Sequence, residues 1–268
     1  MNGVDMKQLI QKFLLGSVNF SQAAGDYLST DLNSTKGLNA SDSEPYKAGA
    51  NYTALEHHWD EAFGYFGAAR NYLEYSDFDL KKKIDIDTNQ DKKISLISEK
   101  NFTYAINAGR FDATSTSPKT TFSEDIMEGF LQGRYLIQQK PSGYKPYLKA
   151  LSIKILGNWE KVNAATVIHY LNVSIKELNS YGTEEYLFKD LAKFWSEMKG
   201  FALGFQFNPE SILNKSGFVK FHQLVDDAPV VPTPSNQHDV EDYKQKLLQA
   251  RTLLKDVYQF SDENMKNW

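Results

Sequence analysis

The chain has 268 residues, of which 41% are hydrophobic, so it is long enough to bury a large core. Its formal net charge is −4, with acidic and basic residues interspersed, which disfavours nucleic-acid binding because no basic stripe is present to neutralise phosphates. The absence of cysteine excludes disulfides, thiolate metal sites and cysteine nucleophiles. No apolar run approaches the roughly 20 residues of a membrane helix, so we expect no transmembrane segment.

Helical periodicity dominates the chain from its beginning. Leu9, Phe13, Leu14 and Val18 form a first apolar stripe, and a second stripe begins at Ile153. Further helices are predicted over 125–139 and about 240–265, separated by long polar loops at 29–49, 113–125 and 226–239. Strand patterns are scarce, so we expect an all-α, up-and-down helical bundle that forms one domain over 1–268.

Two sequence patterns occur twice, in the same order. "LLGSVNFSQAAGDYL" at 14–28 shares its Leu-Gly and Ala-Ala pairs with "ILGNWEKVNAATVIHYL" at 155–171. "HWDEAFGYFGA" at 58–68 shares its Trp-x-Glu with "FWSEMKGFALG" at 194–204. These matches predict an internal duplication of helix pairs, with repeats at about 7–75 and 148–208. The alternative is that unrelated helices share a similar composition.

Two histidines and a glutamate lie close together in "LEHHWDE". On a helix, both His57 and His58 share a face with Glu61, because they precede it by four and three residues. Imidazole and carboxylate on adjacent turns are ligands for zinc or iron, and they also suit a general base with its orienting partner. The structural alternative is a hydrogen-bonded pair that only organises neighbouring core aromatics.

The duplication places Glu197 at the position equivalent to Glu61. If the two copies pack about a pseudo-twofold axis, both glutamates could face one central cleft, with His169 as a further imidazole ligand. Phe194 replaces the histidine in the second copy, so such a site would be asymmetric. His222 and His238 are expected to be exposed.

The His58-Trp59-Asp60-Glu61 tetrad, together with a duplicated helical layout, resembles the imelysin-like family, whose signature is His-x-x-Glu on a bundle helix. "AGRFDA" at 108–113 and "FWSEMKGFALGFQFNP" at 194–209 extend the resemblance to a related branch of uncharacterised bacterial cell-envelope domains. The resemblance implies His58 and Glu61 as the motif pair. One position departs from the imelysin pattern, because Glu56 stands where the family usually has glycine.

The resemblance also implies a location and a function. Imelysin-like proteins are exported, often lipid-anchored, tied to iron acquisition, and were once classed as metallopeptidases. We therefore expect a periplasmic or cell-surface protein, lipid-anchored in its precursor, that holds a transition metal or a metal-bearing small ligand and that contacts other envelope proteins. The alternatives are a metal-dependent peptidase and a surface domain that binds a polysaccharide or protein. Binding without turnover is favoured, because His57 and Glu61 have a zinc-peptidase spacing without its second histidine.

A candidate calcium loop lies in "DIDTNQDKKISLISE" at 85–99. Asp87, Asn89, Asp91, Lys93 and Ser95 fit positions one, three, five, seven and nine of a helix-loop-helix calcium site. Lys92 stands in place of the turn glycine and Ser98 in place of the bidentate glutamate, so Asp85 or Glu99 would have to supply extra oxygens. The alternative is an acidic, solvated turn.

Overall fold

The computed structural model describes residues 3–31, 36–233 and 236–268, and in them the chain forms an all-α helical bundle without β-strands. The α-helices are α1 (Met6–Leu14), α2 (Ala54–Phe66), α3 (Asp77–Lys82), α4 (Thr103–Thr114), α5 (Phe122–Gln139), α6 (Tyr144–Asn179), α7 (Phe188–Ala202), α8 (Lys215–Val225), α9 (Gln237–Tyr258) and α10 (Asp262–Asn267). Two π-helical segments, Leu15–Phe20 and Gln22–Tyr27, continue α1, and a 3₁₀ segment at Leu203–Phe207 continues α7. No helix in the described residues is long and apolar enough to cross a membrane.

The 36-residue helix α6 is the centre of the bundle. It packs against α4, α5, α7 and α9. Seven consecutive residues, from Val162 to Ile168, are buried, which requires neighbours on every side of the helix. Trp159 of α6 is fully buried against the rings of Phe20, Phe66 and Tyr104, so the core joins the N-terminal helices to the central one.

Equivalent contacts occur in the two sequence copies. The indole of Trp59 donates a hydrogen bond to the carbonyl of Phe130 at 2.9 Å, and that of Trp195 donates to the carbonyl of Val225 at 3.0 Å. Both tryptophans are almost completely buried. Trp59 joins α2 to α5, and Trp195 joins α7 to α8. The two acceptors, Phe130 of α5 and Val225 of α8, lie outside the predicted repeats at 7–75 and 148–208, so the duplication itself stays a prediction.

The first predicted stripe differs from the structure at its second half. Leu9 and Phe13 are half-buried, but Leu14 and Val18 are exposed. Leu14 and Val18 continue the i,i+4 series of Met6 and Ile10, which are also exposed, so they belong to the outer face of this helix and not to the face of Leu9 and Phe13. In the second stripe, Ile153 is likewise exposed.

The C-terminal prediction joined two helices into one. Between α9 and α10, Gln259 adopts a left-handed conformation with φ of 57°, which ends α9. The helix predicted over 125–139 is present and begins three residues earlier, at Phe122. Of the predicted polar loops at 29–49 and 226–239, residues 32–35 and 234–235 lie outside the described part of the chain.

Candidate functional site

Helix α2 carries the His-x-x-Glu motif, and its start is fixed by a capping box. The Thr53 hydroxyl accepts the backbone N–H of Glu56 at 3.3 Å, and the Glu56 carboxylate accepts the N–H of Thr53 at 2.7 Å. The second oxygen of Glu56 pairs with Arg134 of α5 at 2.7 Å. Glu56, which stands where the imelysin pattern has glycine, therefore has a structural role, because it caps α2 and ties it to α5.

His57 and Glu61, four residues apart, come together on a partly exposed face of α2, whereas His58, the histidine of the His-x-x-Glu motif, is buried. His57 Nε2 lies 3.2 Å from Glu61 Oε1, and the two side chains are 24% and 36% exposed. The Tyr27 hydroxyl donates a hydrogen bond to Glu61, which raises the pKa of Tyr27, with burial adding to the effect. Tyr46 lies against the His57 ring at 3.9 Å between centroids and holds the imidazole in place.

His58 is buried beside this pair. Its side chain lies between the rings of Tyr27, at 5.6 Å, and Tyr46, at 6.1 Å. Burial lowers the pKa of His58, and the neighbouring His57 lowers it further, which favours the neutral ring. Its Nδ1 is buried and has no hydrogen-bond partner among the described residues, which is costly for a polar atom.

The second copy also pairs a tyrosine with a glutamate, but a lysine takes the place that His57 has beside Glu61. Tyr170 hydrogen-bonds to Glu197. Burial raises the pKa of Tyr170, and the negative charge of Glu197 raises it further. Lys12 of α1 lies 3.4 Å from Glu197, whereas Glu61 has no lysine or arginine within ion-pair distance in the described chain.

Ring stacking confirms that these tyrosines occupy equivalent places. Tyr27 stacks on Tyr65 with centroids 5.7 Å apart and an interplanar angle of 17°. Tyr170 stacks on Phe201 at 5.9 Å and 15°. Tyr65 and Phe201 each lie four residues after the glutamate of their copy. Each copy therefore places one glutamate beside a stacked pair of aromatic rings.

The predicted five-ligand centre does not form as one group. His57, His58 and Glu61 lie together on α2, but Glu197 is paired with Lys12, and His169 with another cation. Within the part of the chain that the structure describes, no three histidine, aspartate or glutamate side chains are placed to hold one metal ion. Glu61 and Glu197 therefore do not meet at one centre. Glu61 contacts Tyr27, and Glu197 contacts Tyr170.

His169 makes its own polar contact on α6. Arg110 of α4 donates to His169 Nε2 at 3.0 Å, which occupies the lone pair that a metal would use. Burial lowers the pKa of His169 to about 4, and the Arg110 charge adds to this effect. The two histidines expected at the surface differ: His238 is exposed, but His222 lies in α8 against Phe218, and burial lowers its pKa to about 4.

The candidate calcium loop adopts a turn that its own side chains stabilise. Asp87 accepts the backbone N–H groups of Asp91 at 3.3 Å and of Lys92 at 2.7 Å. Asn89 and Asp91 accept further N–H groups two residues ahead, at 3.0 and 2.8 Å. Lys92, in the glycine position, has φ of 65°, so the sharp turn is made despite the side chain.

The two extra oxygen donors of this loop have other contacts. Asp85 pairs with Lys100 at 2.6 Å. Glu99 is buried, and its oxygens accept the N–H of Thr88 at 2.9 Å and that of Ser95 at 2.8 Å, which lowers its pKa. Glu99 therefore closes the base of the loop, and calcium binding by the remaining oxygens stays a prediction.

Sequence reasoning missed the tyrosines and the lysine that distinguish the two copies. Tyr27 and Tyr170 are 143 residues apart, whereas the Ala-Ala pairs are 141 apart, so the sequence alignment pairs Tyr27 with Ile168. The π-helical turns at 15–27 change the register in the first copy only. The repeated Tyr-Leu at 27–28 and 170–171 was the available signal.

The fold and this site define an all-α bundle with two related helix pairs, of which the first exposes a histidine–carboxylate motif. A family model described as a domain of unknown function, DUF4856, matches residues 1–222. The protein belongs to this family, since the match covers most of the chain. No curated protein and no solved structure matches it.

Proposed function

We propose that this chain is a cell-envelope binding protein that holds a transition metal, iron foremost, or a metal-bearing ligand at His57 and Glu61, with His58 buried beside them. The observation that carries the proposal is the 3.2 Å approach of His57 Nε2 to Glu61 Oε1 on an accessible face. A nitrogen and an oxygen donor that close can bind the same ion. The resemblance of the tetrad to the imelysin signature supports His58 and Glu61, together with the envelope location.

The environment of Glu61 favours an external cation. Its equivalent, Glu197, has the Lys12 ammonium at 3.4 Å, while the only base within ion-pair distance of Glu61 in the described chain is His57. His58 adds a neutral imidazole whose buried Nδ1 has no described partner. The donor types fit iron or zinc, and a neutral imidazole is the form that binds metal.

The number of donors favours a metal that arrives with ligands of its own. The described residues hold no group of three histidine or acidic side chains around one point, so the protein supplies part of a coordination shell. Water or a chelating small molecule would complete it. Binding without turnover is the corresponding activity.

The test measures metal affinity beside a matched control. Protein purified without chelator is analysed for bound metal and titrated with Zn²⁺ and Fe²⁺. We expect His57→Ala and Glu61→Gln each to lower affinity at least tenfold. His238→Ala is the control, because His238 lies 3.5 Å from Asp242 at the same i,i+4 spacing on an exposed helix surface. Equal affinity in all four proteins would overturn the proposal.

A further inference from the structure

Helix α1 covers one face of α7, and the contacts define what that face binds. The N–H of Asp5 donates to the Ser196 hydroxyl at 2.8 Å, and Lys12 lies 3.4 Å from Glu197. A Cβ atom at Gly200 would lie 2.7 Å from the Cβ of Lys12, so glycine permits the close approach of the two helices. All three α7 positions are buried.

The corresponding face of α2 is open. Ser196, Glu197 and Gly200 correspond to Asp60, Glu61 and Gly64, 136 residues earlier. The side chains of Asp60 and Glu61 are 57% and 36% exposed. A Cβ atom at Gly64 would meet no heavy atom within 4 Å in the described chain. The first copy therefore repeats the helix-binding face of α7 with no described helix packed at Gly64, although α5 reaches Asp60 through Arg134.

A groove of mixed character adjoins this open face, with Arg70, Lys100 and Arg134 among its lining residues. A cavity of about 640 Å³ lies beside Gly64 and is lined by Phe63, Leu131, Leu96 and Ile97. Leu96 and Ile97 are 69% and 88% exposed, and Leu131 is 50% exposed. Large apolar side chains clustered at one groove are typical of an interaction surface.

The charges of the open face indicate the chemistry of its occupant. Asp60 is already paired with Arg134 at 3.0 Å, but Glu61 has no described lysine or arginine within ion-pair distance. On α7, the equivalent carboxylate takes its cation from the helix that covers it. An occupant that follows the same rule presents a basic side chain to Glu61 and apolar side chains to the groove.

We propose that the Asp60–Glu61–Gly64 face of α2 binds an amphipathic α-helix of a partner protein, as the equivalent face of α7 binds α1. The partner helix crosses at Gly64, pairs a lysine or arginine with Glu61, and lays its apolar side along Leu131 and Ile97. This inference requires no metal. A metal at Glu61 would compete with the basic side chain of the partner, so EDTA in the binding assay separates the two proposals.

The test uses a fluorescent peptide with the sequence of residues 4–20, which is the helix that the equivalent face accepts. Binding to the intact protein is followed by anisotropy in the presence of EDTA. We expect saturable binding that weakens at least tenfold when the peptide carries Lys12→Glu. Gly64→Leu in the protein fills the crossing point and should abolish binding, with Gly64→Ala intermediate.

Gly25→Ala is the matched control, because a Cβ atom there also meets no described atom within 4 Å. It should bind the peptide as the unchanged protein does, and circular dichroism checks that each variant is folded. Absence of saturable binding at millimolar peptide would overturn the proposal. Binding that Gly64→Leu leaves unchanged would also overturn it, because the peptide would then bind at α7 in place of α1. Self-association lost in Gly64→Leu would make the occupant a second copy and overturn the assignment to a partner protein.

Discussion

Removing the charge of the two motif glutamates should have unequal effects on stability. Glu197 is 7% exposed and lies 3.4 Å from Lys12, which is 16% exposed. At an effective dielectric constant of about 20, this separation corresponds to a Coulomb energy of about 5 kcal/mol, from which desolvation subtracts a large part. Glu197→Gln leaves the Lys12 ammonium without its carboxylate, and we expect it to lower the free energy of unfolding by about 3 kcal/mol.

Glu61→Gln should cost less than about 1 kcal/mol, because Glu61 is 36% exposed and its only described ion-pair partner is a histidine. Urea unfolding followed by tryptophan fluorescence measures both changes. Adding Lys12→Met to Glu197→Gln should recover part of the loss, since the unpaired charge is then removed. Equal losses at the two glutamates would show that the difference in their cation environments is not real.

Three further predictions concern other parts of the molecule. Millimolar calcium should raise the melting temperature and Asp87→Ala should remove that rise, whereas no shift in the unchanged protein contradicts calcium binding by the loop. Gly133→Ala should destabilise the protein by about 3 kcal/mol in urea unfolding, because the new Cβ would lie 1.9 Å from Trp59 Cζ2. Gly64→Ala should stabilise it by up to about 1 kcal/mol, because a Cβ there meets no described atom within 4 Å and alanine favours the helix. The pKa of His169 falls from 6.5 to about 4 on folding, so between these pH values the unfolded state binds one more proton than the folded state, and stability decreases as the pH is lowered. His169→Gln should reduce this dependence of the free energy of unfolding on pH. An unchanged dependence would refute the shift.

The sequence by itself determined the fold class and the proximity of His57 to Glu61. Apolar spacing near 3.6 residues and scarce strand patterns are local properties, so they predict helices without knowledge of packing. The spacing of His57 and Glu61 fixes their shared helix face in the same way, and the structure places them 3.2 Å apart. The Trp-x-Glu repeat similarly pointed to α2 and α7.

Only the tertiary structure decided which long-range partners each motif residue has. Nothing local to Glu197 indicates Lys12, which is 185 residues away and arrives because Gly200 lets α1 pack on α7. The π-helical turns after Leu15 likewise altered the register that regular helical periodicity had assumed. Partner choice depends on how whole helices dock, and the docking of a helix depends on surfaces from distant parts of the chain.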